Sequence, residues 1–586
     1  MAAIISEKFR IFNAKQFLES LGEGANDADT DRTRMYFFVG RSSRWDSYLE
    51  IFTVNNSFQV GETVSGGGWS GTVAEVHSNS LLLNSILPTP TSAPAFGTTI
   101  TGGTSGATAK SGVYRYATEE APPAPLDNQS ERKDIFDELI AAKRITSPFA
   151  RLVVPRYNWN LTLNPKFDMY RPNYSPTPGG GGAIGKQTAL GSTALSGSKF
   201  YVMNSQYEVF KCLYNGETPG FPTGQNATYE PSSQPVGGQG TFAGGIYKEP
   251  SGTAGYIWKH MFTLTTGDVL NFLSSDFMPI AAAGEASRTT VEAAAVDGSV
   301  DVVLVKDAGS GLPTSATLYS AIHGDGSNAV VKFTTDGSGG LVTAEIESAG
   351  SGYTYGNVVL ETGKVFLDSA LSSAAPAFTG EAAIEVIISP RGGHGSHAED
   401  EFFAKRVMTS IRLTYDEGQG DFPVDNDFRR IGIIQDPYEY GSTTFASAGT
   451  LRGTKVAKIN GATADYVVDE MITQTVAGGT AKGTVVSWDS TNGILKYFQS
   501  PSLHTDSGVV RAFESDASNS VDGAISTASG TVDTTQSTPL ADISFTGGLA
   551  SPEIEPNSGE VVYIENRRQI TRAPDQIEDI KLVIEF

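Results

Sequence analysis

At 586 residues, with 65 Gly and 28 Pro, the chain is too long for one compact core, so several domains or one core carrying large insertions are expected. The 42 Lys+Arg against 65 Asp+Glu leave a formal charge of −23. That sign opposes counterion-release binding to nucleic acid and adsorption to anionic lipid, so no nucleic acid and no membrane is expected as a partner.

Valine, threonine, serine and tyrosine between Gly- and Pro-rich turns predict a mainly β protein. Near the start, Ile5, Phe9, Phe12, Phe17, Leu18 and Leu21 stand at mixed spacing, which predicts a strand turning into a short helix near "NAKQFLESL". This region has no apolar run of signal-peptide length, and the chain is expected to be made and folded in a reducing cytosol. "DADTDR" carries the alternating carboxylates Asp27, Asp29 and Asp31 of a calcium loop. Arg32 takes the place of its glycine and Phe38 that of its distal Glu, so a solvated acidic loop is expected. "MYFFVGRSSRWDS" (35–47) reads as a buried strand leaving the core.

From 58 to 115 the texture changes. "GETVSGGGWSGTVAEV" and "GTTITGGTSGATAKSGV" share one pattern of strand, Gly-rich turn and strand, as two hairpins of a small inserted barrel-like module would. "ERKDIFDELIAAKRI" (131–145) then places Ile135, Leu139 and Ile140 at helical spacing, which predicts the best helix of the chain. "FARLVVPRYNW", "YEVFKCLYNG", "AGYIWKHMFTL", "FFAKRVMTSIRLTY" and "FRRIGIIQDP" read as buried or half-buried strands. Cys212, the single cysteine, excludes a disulfide framework and a thiolate metal cluster and reads as a core residue. Two further modules are read at 289–390, where "VKDAGSGLP" and "IESAGSGYTYGNVVL" share an Ala-Gly-Ser-Gly signature, and at 455–550, where "VVDEMITQTVAGGTAKGTVVSWDSTNGILKYF" repeats the order of the first module. The stretches 1–57, 116–288, 391–454 and 551–586 are the host core.

Chemistry has little local signal. "GGGAIGKQT" (180–188) nearly fits a phosphate-cradling loop, but Gln187 stands where the magnesium-binding hydroxyl belongs and no strand precedes it, so nucleotide binding is rejected. His394 and His397 beside Glu399, Asp400 and Glu401 have metal-ligating types, yet flanking glycines make the segment a turn. The histidines are scattered and no serine sits in a strand-borne G-x-S-x-G elbow. No catalytic residue, cofactor or metal is expected, and no enzymatic activity. Arginines and aromatics recur at strand ends instead: Arg41 and Trp45, Arg156 and Trp159, Tyr256 and Trp258, Arg429 and Arg430, Arg567 and Arg568. Such residues are enriched at protein interfaces and equally common under packed loops.

The closing segment, "GEVVYIENRRQITRAPDQIEDIKLVIEF" (559–586), reads as two strands that can join one sheet. Its alternation puts Val562 and Ile564 on one face and Tyr563 and Glu565 on the other. Glu565, Asn566, Arg567, Arg568 and Arg572 form a knot of charge between the strands, where Glu565 with Arg567 or Arg568 would lock the connecting loop near a subunit contact.

"FVGRSSRWDS", "LVVPRYNW", "VFKCLYN", "GYIWKHMFTL", "FRRIGIIQDP" and the closing segment come in an order that resembles the baseplate wedge protein of T4-like contractile-tailed bacteriophages that forms a dimer within each wedge. The resemblance covers the host segments and not 58–115, 289–390 or 455–550. It implies a layered β-sandwich core with a few short helices, carrying the inserted modules, and a homodimeric structural subunit packed against other wedge subunits. Assembly in the host cytoplasm and residence in the virion tail follow from it. The alternative reading is a receptor- or glycan-binding tail protein displaying its Gly-rich modules; a tail-associated glycosidase would need two carboxylates facing each other across a cleft.

Overall fold

The computed structural model describes residues 4–22, 33–76, 79–89, 91–160, 166–171, 194–218, 220–221, 223–413, 426–501, 503–572 and 577–586. The acidic loop at 27–31 and the Gly-rich loop at 180–188 lie outside them. Among the described residues strands hold 44% and helices 9%, so the protein is mainly β, as its turn-rich, β-branched texture dictates. The chain divides into two compact units, Met1–Glu19 with Pro148–Ser410 and Lys581–Phe586, and Ser20–Ser147 with Ile411–Ile580.

In the first unit, helix Glu7–Ser20 replaces the strand expected ahead of "NAKQFLESL". Its sequence contains no Gly, Pro or valine, and the good helix formers Glu, Lys, Arg, Gln, Ala and Leu make up eight of its fourteen residues, so helix propensity prevails where the apolar spacing lacks a period of two. One antiparallel sheet orders the strands Tyr201–Met203, Glu208–Tyr214, Ile257–Thr263, Ile246–Lys248 and Thr241–Ala243; another orders Phe277–Pro279, Ala150–Pro155, Arg406–Leu413 and Glu578–Glu585. Phe210, Cys212, Trp258 and Phe262 are fully buried in the former.

Val302–Ser310 pairs with Glu381–Ile387, and the strands between them form a separate sheet around a core of Leu318, Val331, Phe333 and Val365. The repeated Ala-Gly-Ser-Gly signature marks two irregularities of the same kind. Gly309 and Gly350 have positive φ, and a Cβ on Gly350 would meet the Ser327 carbonyl oxygen at 2.4 Å, so only glycine fits.

The second unit is organised on an antiparallel sheet in the order Thr450–Arg452, Leu139–Arg144, Met35–Gly40, Asn426–Gln435, Glu560–Arg572. Met35–Gly40 is buried along its whole length. The helix expected over 131–145 ends early: it spans Gln129–Asp137, capped by Asn128, whose side chain accepts from the Glu131 N–H at 2.8 Å. Leu139–Arg144 is a strand. Leu139, Ile140, Ala141 and Ala142 are all buried, and a run apolar on every side fits an interior strand better than the one-sided stripe of a surface helix.

The first Gly-rich module is a closed barrel in the order Ser47–Asn55, Ser80–Leu87, Trp69–Val76, Thr63–Gly66, Thr99–Gly102, Thr108–Arg115. It therefore takes in Ser47–Asn55, which the sequence reading left in the host. In the third module, Lys455–Asn460, Ile494–Phe498, Gly479–Asp489, Met471–Val476, Ser520–Gly523 and Ser529–Val532 close on one another in the same order. The two rings share a staple. In the first, Glu62 accepts from the backbone N–H groups of Gln59, Thr104 and Ser105 and from the Ser105 hydroxyl. In the other, Glu470 accepts from the N–H groups of Val467, Ile525 and Ser526 and from the Ser526 hydroxyl. Burial pushes the Glu62 carboxyl up, but these hydrogen bonds outweigh it and hold it below the usual range. Gly102 and Gly523 are required beside the staples, since a Cβ on either would stand within 2.8 Å of carboxylate oxygens.

All three modules begin and end in adjacent antiparallel strands, with Tyr48 opposite Arg115, Val302 opposite Ile387 and Val456 opposite Ala550. Glu62→Gln or Glu470→Gln puts an NH2 among converging N–H donors, and each is expected to destabilise its own barrel by about 2 kcal/mol. Hydrogen exchange checks this: protection should fall at the strands of the altered barrel and hold in the other.

Candidate functional site

Arg429 and Arg430 occupy consecutive positions of the strand Asn426–Gln435, so their side chains leave opposite faces of the sheet. Both are buried. Arg429 donates through Nε to both Glu119 carboxylate oxygens at 3.0 Å, lies 3.3 Å from Asp427 Oδ2, and donates to the Ser42 carbonyl. Arg430 donates through Nε to Asn566 Oδ1 at 2.9 Å, pairs with Glu131 through Nη2, and stands 3.6 Å from Glu138 Oε2. Arg41 reaches the other oxygen of Glu138 at 2.8 Å.

Trp45 is enclosed by these groups. The guanidinium carbons of Arg41 and Arg430 lie 4.0 and 5.6 Å from its ring, an arrangement favoured by the ring quadrupole. Its N–H groups are used too: the backbone N–H donates to Glu119 Oε1 at 2.7 Å and the indole to the Arg567 carbonyl at 2.8 Å.

The last bond explains the knot of charge in the closing segment. Phe428 faces Ile570 and Arg430 faces Asn566, so Arg567, Arg568 and Gln569 stand opposite Arg429 alone. The knot is thus a bulge inside the strand Glu560–Arg572, where the sequence reading placed a connecting loop. The bulge takes the Arg567 carbonyl out of the ladder and Trp45 satisfies it. A second register shift, between Ile433 and Ile434, skips Val562. Val561 and Ile564 therefore pack on the core while Val562 is exposed, which overturns the expected pairing of Val562 with Ile564 on one face. The two closing strands also belong to different sheets. The Glu565–Arg567 pair forms at 3.2 Å and Arg568 meets Glu120 at 3.0 Å, but the partners are 36% or more exposed, and such pairs contribute at most about 1 kcal/mol. What holds the bulge is the buried Arg430–Asn566 bond and Trp45.

Of the sequence-derived candidates, Arg41, Trp45, Glu565, Asn566, Arg567 and Arg568 all lie in this one unit. Arg156 and Trp159 belong to the other, where Arg156 binds Asn158 at 2.8 Å and the Ser274 carbonyl at 2.7 Å, and Trp159 stacks on Phe167 at 6.0 Å. His394, in that unit too, is buried with its ring edge-on to Tyr170 at 4.9 Å. Burial, then Lys211 and Lys259, hold it well below the usual histidine range. Among the described residues no cluster of His, Cys, Asp and Glu is placed to hold a metal ion.

Beside Trp45 opens a cavity of about 560 Å³, walled by Tyr48, Glu131, Asp134, Glu138 and Arg430 among others. Burial, then repulsion from Glu138, pushes Asp134 up to about 7 and Asp137 to about 6; for Asp134, Arg430 opposes the shift. Sequence reading missed this wall of acids. Its signal is the spacing of Glu131, Asp134 and Glu138, three and four residues apart along the helix and its C-cap.

Replacing Arg430 with Met leaves Glu131 and Glu138 under-compensated and is expected to cost about 3 kcal/mol in denaturant unfolding. For Asp134 the folded chain retains a proton that the unfolded chain has released between about pH 4 and about pH 7, so this group's contribution to stability is full below that window and lost as pH rises through it. Asp134→Asn should therefore melt with the wild type at the acidic end and above it at the alkaline end. Compared with known proteins, the chain matches no family model and no curated sequence.

Proposed function

We propose that this chain is a structural subunit of the baseplate wedge of a contractile bacteriophage tail, acting as a homodimer beside other wedge subunits and passing the host-contact signal to sheath contraction by rigid-body movement. One observation carries the reading: the segments that resemble the wedge protein are the ones that pair with each other. "MYFFVG", "FRRIGIIQ" and "EVVYIENRR" are neighbours in one sheet, "RLVVP" and the closing "EDIKLVIE" share a second, and "EVFKCLY" pairs with "IWKHMFT" in a third. The stretches outside the resemblance pair among themselves, except that the first also takes in Ser47–Asn55 of the host. Words scattered over several hundred residues thus meet as sheets, as a shared core requires.

Buried salt links and aromatic anchors occupy the interior of the candidate site, and the exposed side chains of Arg567 and Arg568 on the bulge are what is left to meet a neighbour. In sedimentation velocity the wild-type chain is expected to run as a dimer and Arg567→Ala to shift towards monomer, with its melting temperature nearly unchanged. Mass spectrometry and electron microscopy of purified tail particles test the wider claim. A particle without this polypeptide, or a wild-type chain that stays monomeric at every concentration, ends the proposal. The competing reading as a receptor- or glycan-binding adhesin calls for a trimer in the same experiment.

A further inference from the structure

Lys211 and Glu401 form a salt bridge closed to water, with side chains 0% and 3% exposed. Lys211 belongs to the strand Glu208–Tyr214, and Glu401 stands 190 residues further on, after the glycine-rich turn that carries His394 and His397. The carboxylate is held at both oxygens. Its Oε2 meets Lys211 Nζ, while its Oε1 accepts from the backbone N–H of Gly395 at 2.8 Å and from that of His397 at 3.3 Å. Positive φ at Gly392, Gly393 and Gly395 shapes the turn that brings these N–H groups to Glu401.

The lysine end favours a neutral amine. Burial lowers the Lys211 pKa, and Lys259, its partner across the ladder, adds to this against the pull of Glu401 and Asp301. The Tyr170 ring lies 4.1 Å from Nζ. The parts of an acyl transfer are therefore in one place: an amine activated by desolvation and a neighbouring cation, a carboxyl group in contact with it, and two N–H donors on the oxygen where charge gathers. Fixed contact replaces a bimolecular encounter, with effective concentrations of about 10⁵–10⁸ M in well-aligned cases. Each buried ion also carries a desolvation cost that a neutral amide does not.

We propose that Lys211 and Glu401 join in an intramolecular amide bond. One proton passes from the ammonium to Oε2 across the existing contact. The amine then attacks Cδ, and Oε1 takes the negative charge under the two N–H groups. The Cδ–Oε2 bond breaks as that oxygen leaves with a second proton from the nitrogen, so one ammonium and one carboxylate become one amide and one water, and nothing is oxidised or reduced. The bond closes a loop that contains the whole module 289–390, so tension on that module is carried covalently.

This stands independently of the baseplate reading. The test is intact-mass spectrometry of the full chain, unfolded in guanidinium, with tandem sequencing of its tryptic peptides. The expected chain is lighter than its sequence by one water, resists cleavage after Lys211 and yields a branched peptide joining Lys211 to Glu401. Lys211→Met and Glu401→Ala should each weigh what their sequences require. Both variants lose a buried partner and are at risk of misfolding, so the wild-type peptide map decides alone if they do. A wild-type chain of full sequence mass, as a salt bridge alone would give, overturns the proposal. So does a lost water that maps to any other pair of residues.

Discussion

Two guanidinium groups, taken out of water on opposite faces of one strand, constrain the second unit. Stripping an arginine of solvent costs several kcal/mol, and the attraction of its partners roughly offsets this. Arg429 and Arg430 therefore add little net stability. They make the alternatives expensive, because any register of the strand Asn426–Gln435 that moves them away from Glu119, Glu131 and Asn566 leaves buried charge uncompensated. The helix Gln129–Asp137, the segment around Trp45 and the bulge of the last strand are all positioned by hydrogen bonds to this pair or to its partners.

The same logic, with the sign reversed, governs the two barrels. There the buried charge is a carboxylate, and its compensation comes from backbone N–H groups of a turn supplied by the far end of the module. A turn that would otherwise be set only by its own residues is tied to the residue just ahead of Thr63–Gly66 in one ring and of Met471–Val476 in the other. Glu62 and Glu470 sit in matching places of rings with matching strand order, so the likeness visible between the Gly-rich stretches extends to a specific interaction.

Much of the fold was legible because its signals are local. The run Met35–Gly40 and the strands around Cys212 and Trp258 are apolar enough to be read as buried, and the Ala-Gly-Ser-Gly pairs announced positions where only glycine fits. The errors came where two periodicities overlap. Leu139 and Ile140 satisfy the spacing of the preceding helix, and only the neighbouring strands Met35–Gly40 and Thr450–Arg452, distant in sequence, decide that they are β. Bulges defeat alternation for the same reason: nothing in "VVYIENRR" says that Val562 is skipped or that three residues oppose Arg429, since the partner strand sets both. The cavity was illegible because its walls come from "RWDSY", the helix and "FRR" together, and its acids look, on the helix alone, like ordinary surface charge.

Each of the three modules leaves the host through a strand that lies beside the one by which it arrived. Neighbouring strands are about 4.8 Å apart, so the host sees every module as a gap that a tight hairpin turn also spans. Such grafts impose almost no geometric demand on the scaffold. A pared-down version of this polypeptide, trimmed at those seams, needs only short turns to keep the scaffold's own strands in place.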